Sequence, residues 1–270
     1  MTLRPLTPFE GMDIRTLVDD QAARRGDHPF LIWEPFEGEG RSWSYAAFGE
    51  TIRRFAAGLQ ARGVTAGQRI LVHLDNCPES VIAWLGCAYA GAVAVTTNAK
   101  STLDELAYFA SHSGAVGAIT QPLFAELVAA AAPGLAWRVV TATDNGAPPV
   151  ASTAGFEPFA SLDAEPETLA ARTRDPWAHF AIQYTSGTTS RPKAVLWTHA
   201  NALWGARMCA LHEDLGREDV HLTYLPLFHT NAQAYSVLAS LWAGATVVLM
   251  PRFSASRFWP VSLKHGATWT

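Results

Sequence analysis

Residues Tyr184 to Ala194 read YTSGTTSRPKA. Thr185, Ser186, Thr188, Thr189 and Ser190 bring hydroxyl groups together with a single glycine, Gly187, and a single lysine, Lys193. Phosphate recognition uses this combination. A glycine lets the backbone approach closely, successive N–H groups and hydroxyls donate to phosphate oxygens, and the ammonium adds charge. The same composition also describes a Ser/Thr-rich hairpin loop. A Walker A loop is excluded, because it needs glycine directly before the lysine and Pro192 stands there. Other chemical patterns fail. Cys209 and His212 lie three apart on a predicted helix, but no orienting acid accompanies them. None of the histidines sits in HExxH or beside paired cysteines, so no metal site is assigned. No G-x-S-x-G elbow is present.

A loop of this kind needs a scaffold, and the flanking pattern predicts one. HFAIQYTS (179–186) reads as a strand, paired across the loop with a second strand, AVLWTH (194–199). Upstream, FLIWE (30–34) and RSW (41–43) form a predicted strand pair. Ser44 caps a helix whose Tyr45, Phe48, Ile52, Phe55 and Leu59 repeat at helical spacing up to Gly63. RILVHL (69–74), GAVAV (91–95), GAVGAIT (114–120) and Trp137 to Val140 are further strands. Between them lie a helix opened by Pro78 and Glu79, one boxed by Thr102 and Glu105, and one over 123–132. Downstream come a helix over 201–212, the strand HLTYLP, a helix over 233–242, the strand ATVVLM, a helix over 256–265 and the start of a strand at ATWT. This alternation predicts an α/β fold of mostly parallel sheets covered by helices. Residues 143–176, rich in Ala, Pro, Thr and acidic side chains, break the rhythm. They are expected to be a surface connection between a first lobe, 1–142, and a second, 177–270.

Composition bounds the function. With 270 residues, 49% hydrophobic and 16% charged, the chain is neither disordered nor fibrous. A formal net charge of −4 leaves no basic excess for a nucleic-acid backbone. The three cysteines, Cys77, Cys87 and Cys209, are odd in number and unpaired in spacing, which suits free thiols in a reducing cytoplasm. No signal peptide is visible, and the apolar run Val81 to Val95 is too short to span a bilayer. Oligomeric state is not readable.

YTSGTTSRPKA resembles the phosphate-loop signature of the adenylate-forming (AMP-binding) superfamily, [YF]-T-S-G-[ST]-T-G-x-P-K-G. This superfamily comprises acyl- and aryl-CoA synthetases, adenylation domains and luciferases. WSYAAF (43–48), THAN (198–201), LPLFHTNAQ (225–233), GATVVLM and KHGATWT also resemble family elements, in family order. LPLFHTNAQ loosely resembles the crotonobetaine/carnitine-CoA ligase branch. Amino-acid adenylation domains usually have F-D-x-S at that place.

The resemblance implies an ATP-dependent acyl-CoA synthetase. A carboxylate would attack the α-phosphorus of ATP to give an acyl-adenylate and pyrophosphate, and the thiol of coenzyme A would then take the acyl group. Thr185, Ser186, Gly187, Thr188, Thr189, Ser190 and Lys193 would hold the β- and γ-phosphates. His229 would form a wall of the carboxylate site, its alternative being an ordinary cap on the strand HLTYLP. Asn231 and Gln233 would add polar contacts to the acyl group. Trp204, Met208, Trp242 and Phe253 would line a pocket if they are not simply core. Ser190 and Ala194 depart from the signature, each replacing a glycine. The Mg²⁺ and ribose ligands and the catalytic lysine belong to downstream elements that these 270 residues do not contain. The chain is therefore read as an N-terminal portion, inactive alone. The alternatives are a non-catalytic nucleotide- or partner-binding fragment and an amino-acid adenylation domain.

Overall fold

The computed structural model describes residues 7–149, 151–185 and 191–270. In chain order its elements are α1 (Ile14–Arg25), β1 (Pro29–Trp33), β2 (Arg41–Ser44), α2 (Tyr45–Ala61), β3 (Arg69–His73), α3 (Pro78–Ala90), β4 (Val93–Thr96), α4 (Leu103–Ser113), β5 (Ala115–Thr120) and α5 (Ala125–Ala131). They continue with β6 (Trp137–Val140), β7 (Glu157–Pro158), β8 (His179–Tyr184), β9 (Ala194–Thr198), α6 (His199–His212), β10 (Val220–Thr223), α7 (Ala239–Ala243), β11 (Thr246–Leu249) and α8 (Ala255–His265). A π-helical segment, Asn231–Leu238, leads into α7.

Local signals act as their chemistry requires. The Ser44 hydroxyl accepts the Ala47 N–H at 3.2 Å and starts α2. All five periodic side chains of that helix, from Tyr45 to Leu59, are buried. Thr102 and Glu105 close a reciprocal capping box on α4. The THAN segment is another such box: Thr198 and Asn201 exchange side-chain and backbone hydrogen bonds. α6 therefore begins at His199, two residues before the expected start.

Two sheets result. Seven strands lie in the order β7-β6-β5-β3-β4-β8-β9, all parallel except β9, which runs antiparallel to β8. Four more lie in the order β10-β11-β1-β2, with β1 and β2 antiparallel. A single large core cluster reaches both sheets, from Phe30 and Leu31 through Ile70 to Val247.

The expected division into 1–142 and 177–270 does not follow the sheets. β1 and β2, from the first half of the chain, join β10 and β11, while β8 and β9, from the second half, complete the large sheet. Periodicity identifies a strand but not its neighbour, and crossovers bring distant strands together. Residues 143–176 are also more than a surface connection. They add β7 to the sheet edge and bury Leu162, which is 1% exposed, against α2. Gly58 makes that contact possible, since a Cβ there would lie 2.0 Å from the Leu162 carbonyl oxygen. At the other end, ATWT forms only a bridge from Trp269 to His221.

Candidate active site

β8 carries the loop. It runs parallel to β4 with Thr96 opposite Gln183, so Thr97 and Asn98 leave the sheet beside Tyr184 and Thr185. In open α/β sheets the carboxyl ends of strands form the usual binding crevice. The hairpin closes where the Thr185 N–H donates to the Lys193 carbonyl at 3.0 Å. Lys193 is exposed. Ser186, Gly187, Thr188, Thr189 and Ser190 lie outside the described residues.

The facing wall is the segment after β10. A cavity between the two is lined by Thr97, Asn98, Glu105, Thr185, Pro192 and His229. His229 is exposed, packs its ring on Phe228 at 4.2 Å between centroids, and has its pKa lowered by partial burial. That favours the neutral imidazole at neutral pH.

A buried amide network fixes this wall. Gln183 Nε2 donates to Gln233 Oε1 and to Phe228 O, while Thr230 Oγ1 donates to Gln183 Oε1 at 2.9 Å. Gln233 Nε2 donates to Leu227 O at 2.7 Å. Asn76 Nδ2 donates to Leu225 O at 2.9 Å, and its Oδ1 accepts the Leu227 N–H at 2.8 Å. Gln233, 1% exposed, thus spends its polar atoms inside the protein, whereas Asn231 is exposed at the start of the π-helical segment. That segment packs against α6, with the Ala234 methyl close to Gly205. Trp204 and Met208, one helical turn apart on α6, stay 40% and 51% exposed. Trp204 and Trp242 both meet the Phe9 ring edge-on, at 5.3 and 6.2 Å between centroids, whereas Phe253 packs apart from them on Tyr224 and Phe258.

The family model for AMP-binding enzymes matches residues 18–270. The chain belongs to the AMP-binding enzyme family. The crotonobetaine/carnitine–CoA ligases of Citrobacter koseri and Salmonella agona are 35% and 33% identical to it, each over 96% of this chain. The chain covers 50% of each of them, so it spans about half the length of these curated relatives. Among solved structures, apo MbtA of Mycobacterium smegmatis is 26% identical with a TM-score of 0.84, over 96% of this chain and 47% of that one. A benzoate CoA ligase from Burkholderia xenovorans LB400 is 25% identical with a TM-score of 0.78, over 94% and 48%.

In this AMP-binding chain the expected residues fall into groups. Thr185 and His229 line the cavity, and exposed Lys193 follows Pro192 of its wall. Asn231 lies close in sequence to His229, and Gln233 supports it from within. Sequence reasoning did not single out Gln183, Asn76, Thr97 or Glu105 as part of this site. The available signal for Gln183 was a polar residue in an otherwise apolar strand, HFAIQY. The three cysteines are free and buried, and burial pushes the Cys209 thiol up, which suits no nucleophile. Among the described residues, no group of three or more His, Cys, Asp or Glu side chains could hold a metal ion, and no helix is long and apolar enough to cross a membrane.

Proposed function

We propose that this chain is the ATP-phosphate- and carboxylate-binding portion of an AMP-forming acyl-CoA ligase. The observation that carries the reading is the YTSGTTSRPK sequence, whose described ends, Thr185 and Pro192, line one cavity with His229 at the carboxyl end of a parallel sheet. Loop N–H groups, the hydroxyls of Thr185, Ser186, Thr188, Thr189 and Ser190, and the Lys193 ammonium stabilise the β- and γ-phosphates as pyrophosphate leaves. Gly187 provides the close backbone approach. Neutral His229 walls the carboxylate, Asn231 adds a polar contact, and Gln233 holds that wall in place. The exposed face of α6, with Trp204 and Met208, offers apolar surface to the acyl group.

The similarity to crotonobetaine/carnitine–CoA ligases supports a small carboxylic acid as substrate and coenzyme A as the acyl acceptor. The chain alone is proposed to bind ATP without forming acyl-adenylate, in a cytoplasmic setting. Ligand-observed NMR with crotonobetaine, carnitine, benzoate and octanoate tests the carboxylate site. A small acid should show saturation transfer with the wild-type chain and lose it with His229→Ala. Equal transfer in both proteins, or none for any acid, contradicts this placement.

A further inference from the structure

Holding two chain stems at a fixed separation costs conformational entropy, so the contacts that fix residues 184–185 and 191–193 matter. We propose that α4 is the seat of the two stems that flank residues 186–190, with Tyr108 and Arg191 as positioning residues for the C-terminal stem. The consequence for ATP rests on the phosphate-loop reading above, but the seat itself rests on separate contacts.

Consecutive residues of one helix grip both stems. On the N-terminal side, the Tyr184 ring stacks on Phe109 at 4.2 Å and 27°, and its hydroxyl lies 2.9 Å from His112 Nδ1. On the C-terminal side, the Tyr108 hydroxyl donates to the Pro192 carbonyl at 3.3 Å. The Arg191 guanidinium lies over the Tyr108 ring, 5.6 Å from its centroid. Phe109 is 5% exposed and belongs to the core cluster that includes Leu71, Val95 and Ala118 of the large sheet, which anchors the seat in the core. The geometry acts directly on Lys193. Proline has a fixed φ, and the Pro192 carbonyl belongs to the peptide that leads into Lys193. Anchoring that carbonyl sets the direction from which the lysine side chain starts. Arg191 is meanwhile engaged on the Tyr108 ring, which leaves Lys193 as the cation available to the phosphates.

The test compares Tyr108→Phe, Tyr108→Leu and Arg191→Met with the wild-type chain, using amide hydrogen exchange and calorimetric titration with ATP. The Thr185 amide reports pairing at the loop mouth and needs no nucleotide. Tyr108→Leu removes both the hydroxyl and the ring face. It should speed Thr185 exchange and raise the Kd for ATP, each by about tenfold, with exchange in β3 and β5 unchanged. Tyr108→Phe keeps the ring and should recover part of both losses. Arg191→Met, at an exposed position, should reproduce part of the effect without touching the fold. Wild-type Thr185 exchange in both Tyr108→Leu and Arg191→Met would overturn the seat. Lys193→Ala separates the two readings, since it should weaken ATP binding while Thr185 exchange stays as in wild type. Faster Thr185 exchange in Tyr108→Leu, together with no ATP binding by the wild type, would uphold the seat and overturn the phosphate-loop reading.

Discussion

At the level of single residues, the cavity wall is held by amides whose loss leaves buried partners unsatisfied. Gln233→Ala strips donors from Leu227 O and Thr96 Oγ1 and removes the acceptor for Gln183 Nε2. The expected cost is about 1–3 kcal/mol in urea unfolding, with Gln233→Glu also destabilising because it buries a charge. Full stability in both variants would mean that the network does not hold the wall. The YTSGTTSRPK motif and His229 could be singled out in the sequence by residue type and order, and the structure places Thr185 and His229 on one cavity. The partners of Gln233 were not. An amide next to a substrate motif reads the same whether it points into the cavity or back into the protein, and only the packing of β8 against the 224–233 segment decides.

Elements were the most legible level, and their boundaries followed side-chain chemistry. Ser44, Thr102 and Thr198 each cap a helix, and the periodicity of α2 marked its buried face. What the sequence hid was long-range contact. The alternation that identified β8 could not place it beside β4, and the composition of 143–176 concealed β7 and the burial of Leu162. Gly58 is where that hidden contact is sharpest. Gly58→Ala drives a methyl into the Leu162 backbone, which cannot rotate away as a side chain would. Intrinsic helix propensity favours alanine by about 1 kcal/mol. The variant should nonetheless be less stable than wild type, by roughly 1–3 kcal/mol. A thermal midpoint raised by Gly58→Ala would show that residues 159–163 do not pack there.

The whole molecule buries three histidines, His73, His199 and His221, each 3% exposed or less. Burial lowers their pKa values from 6.5 to about 4. His199 Nδ1 accepts the Ile14 N–H at 3.3 Å, which ties α6 to the start of α1. A buried imidazole that resists protonation contributes stability in full above the unfolded pKa and loses it as pH falls. The unfolded chain takes up protons first in the window from 6.5 to about 4. Each histidine then contributes a slope of at most about 1.4 kcal/mol per pH unit. Asp13 extends the loss to lower pH. Burial alone would raise its pKa, but the hydrogen bonds from Arg15 and the nearby positive charges outweigh that and lower it. Buried Glu213, its pKa raised by burial from 4.5 to about 7, loses stability as pH rises and so offsets one of the three histidines over this window. The urea midpoint at pH 5 should still fall below that at pH 7 with an unchanged m value, and equal midpoints would show that the buried histidines do not dominate the pH dependence. Function at this scale rests on one claim, that the fold presents a working phosphate loop. Calorimetric titration of the chain with ATP, wild type against Lys193→Ala, tests it most directly. Saturable binding that Lys193→Ala weakens by about tenfold or more is the predicted result. A folded wild-type chain that binds no ATP, or a Lys193→Ala variant that binds it equally well, would contradict the account.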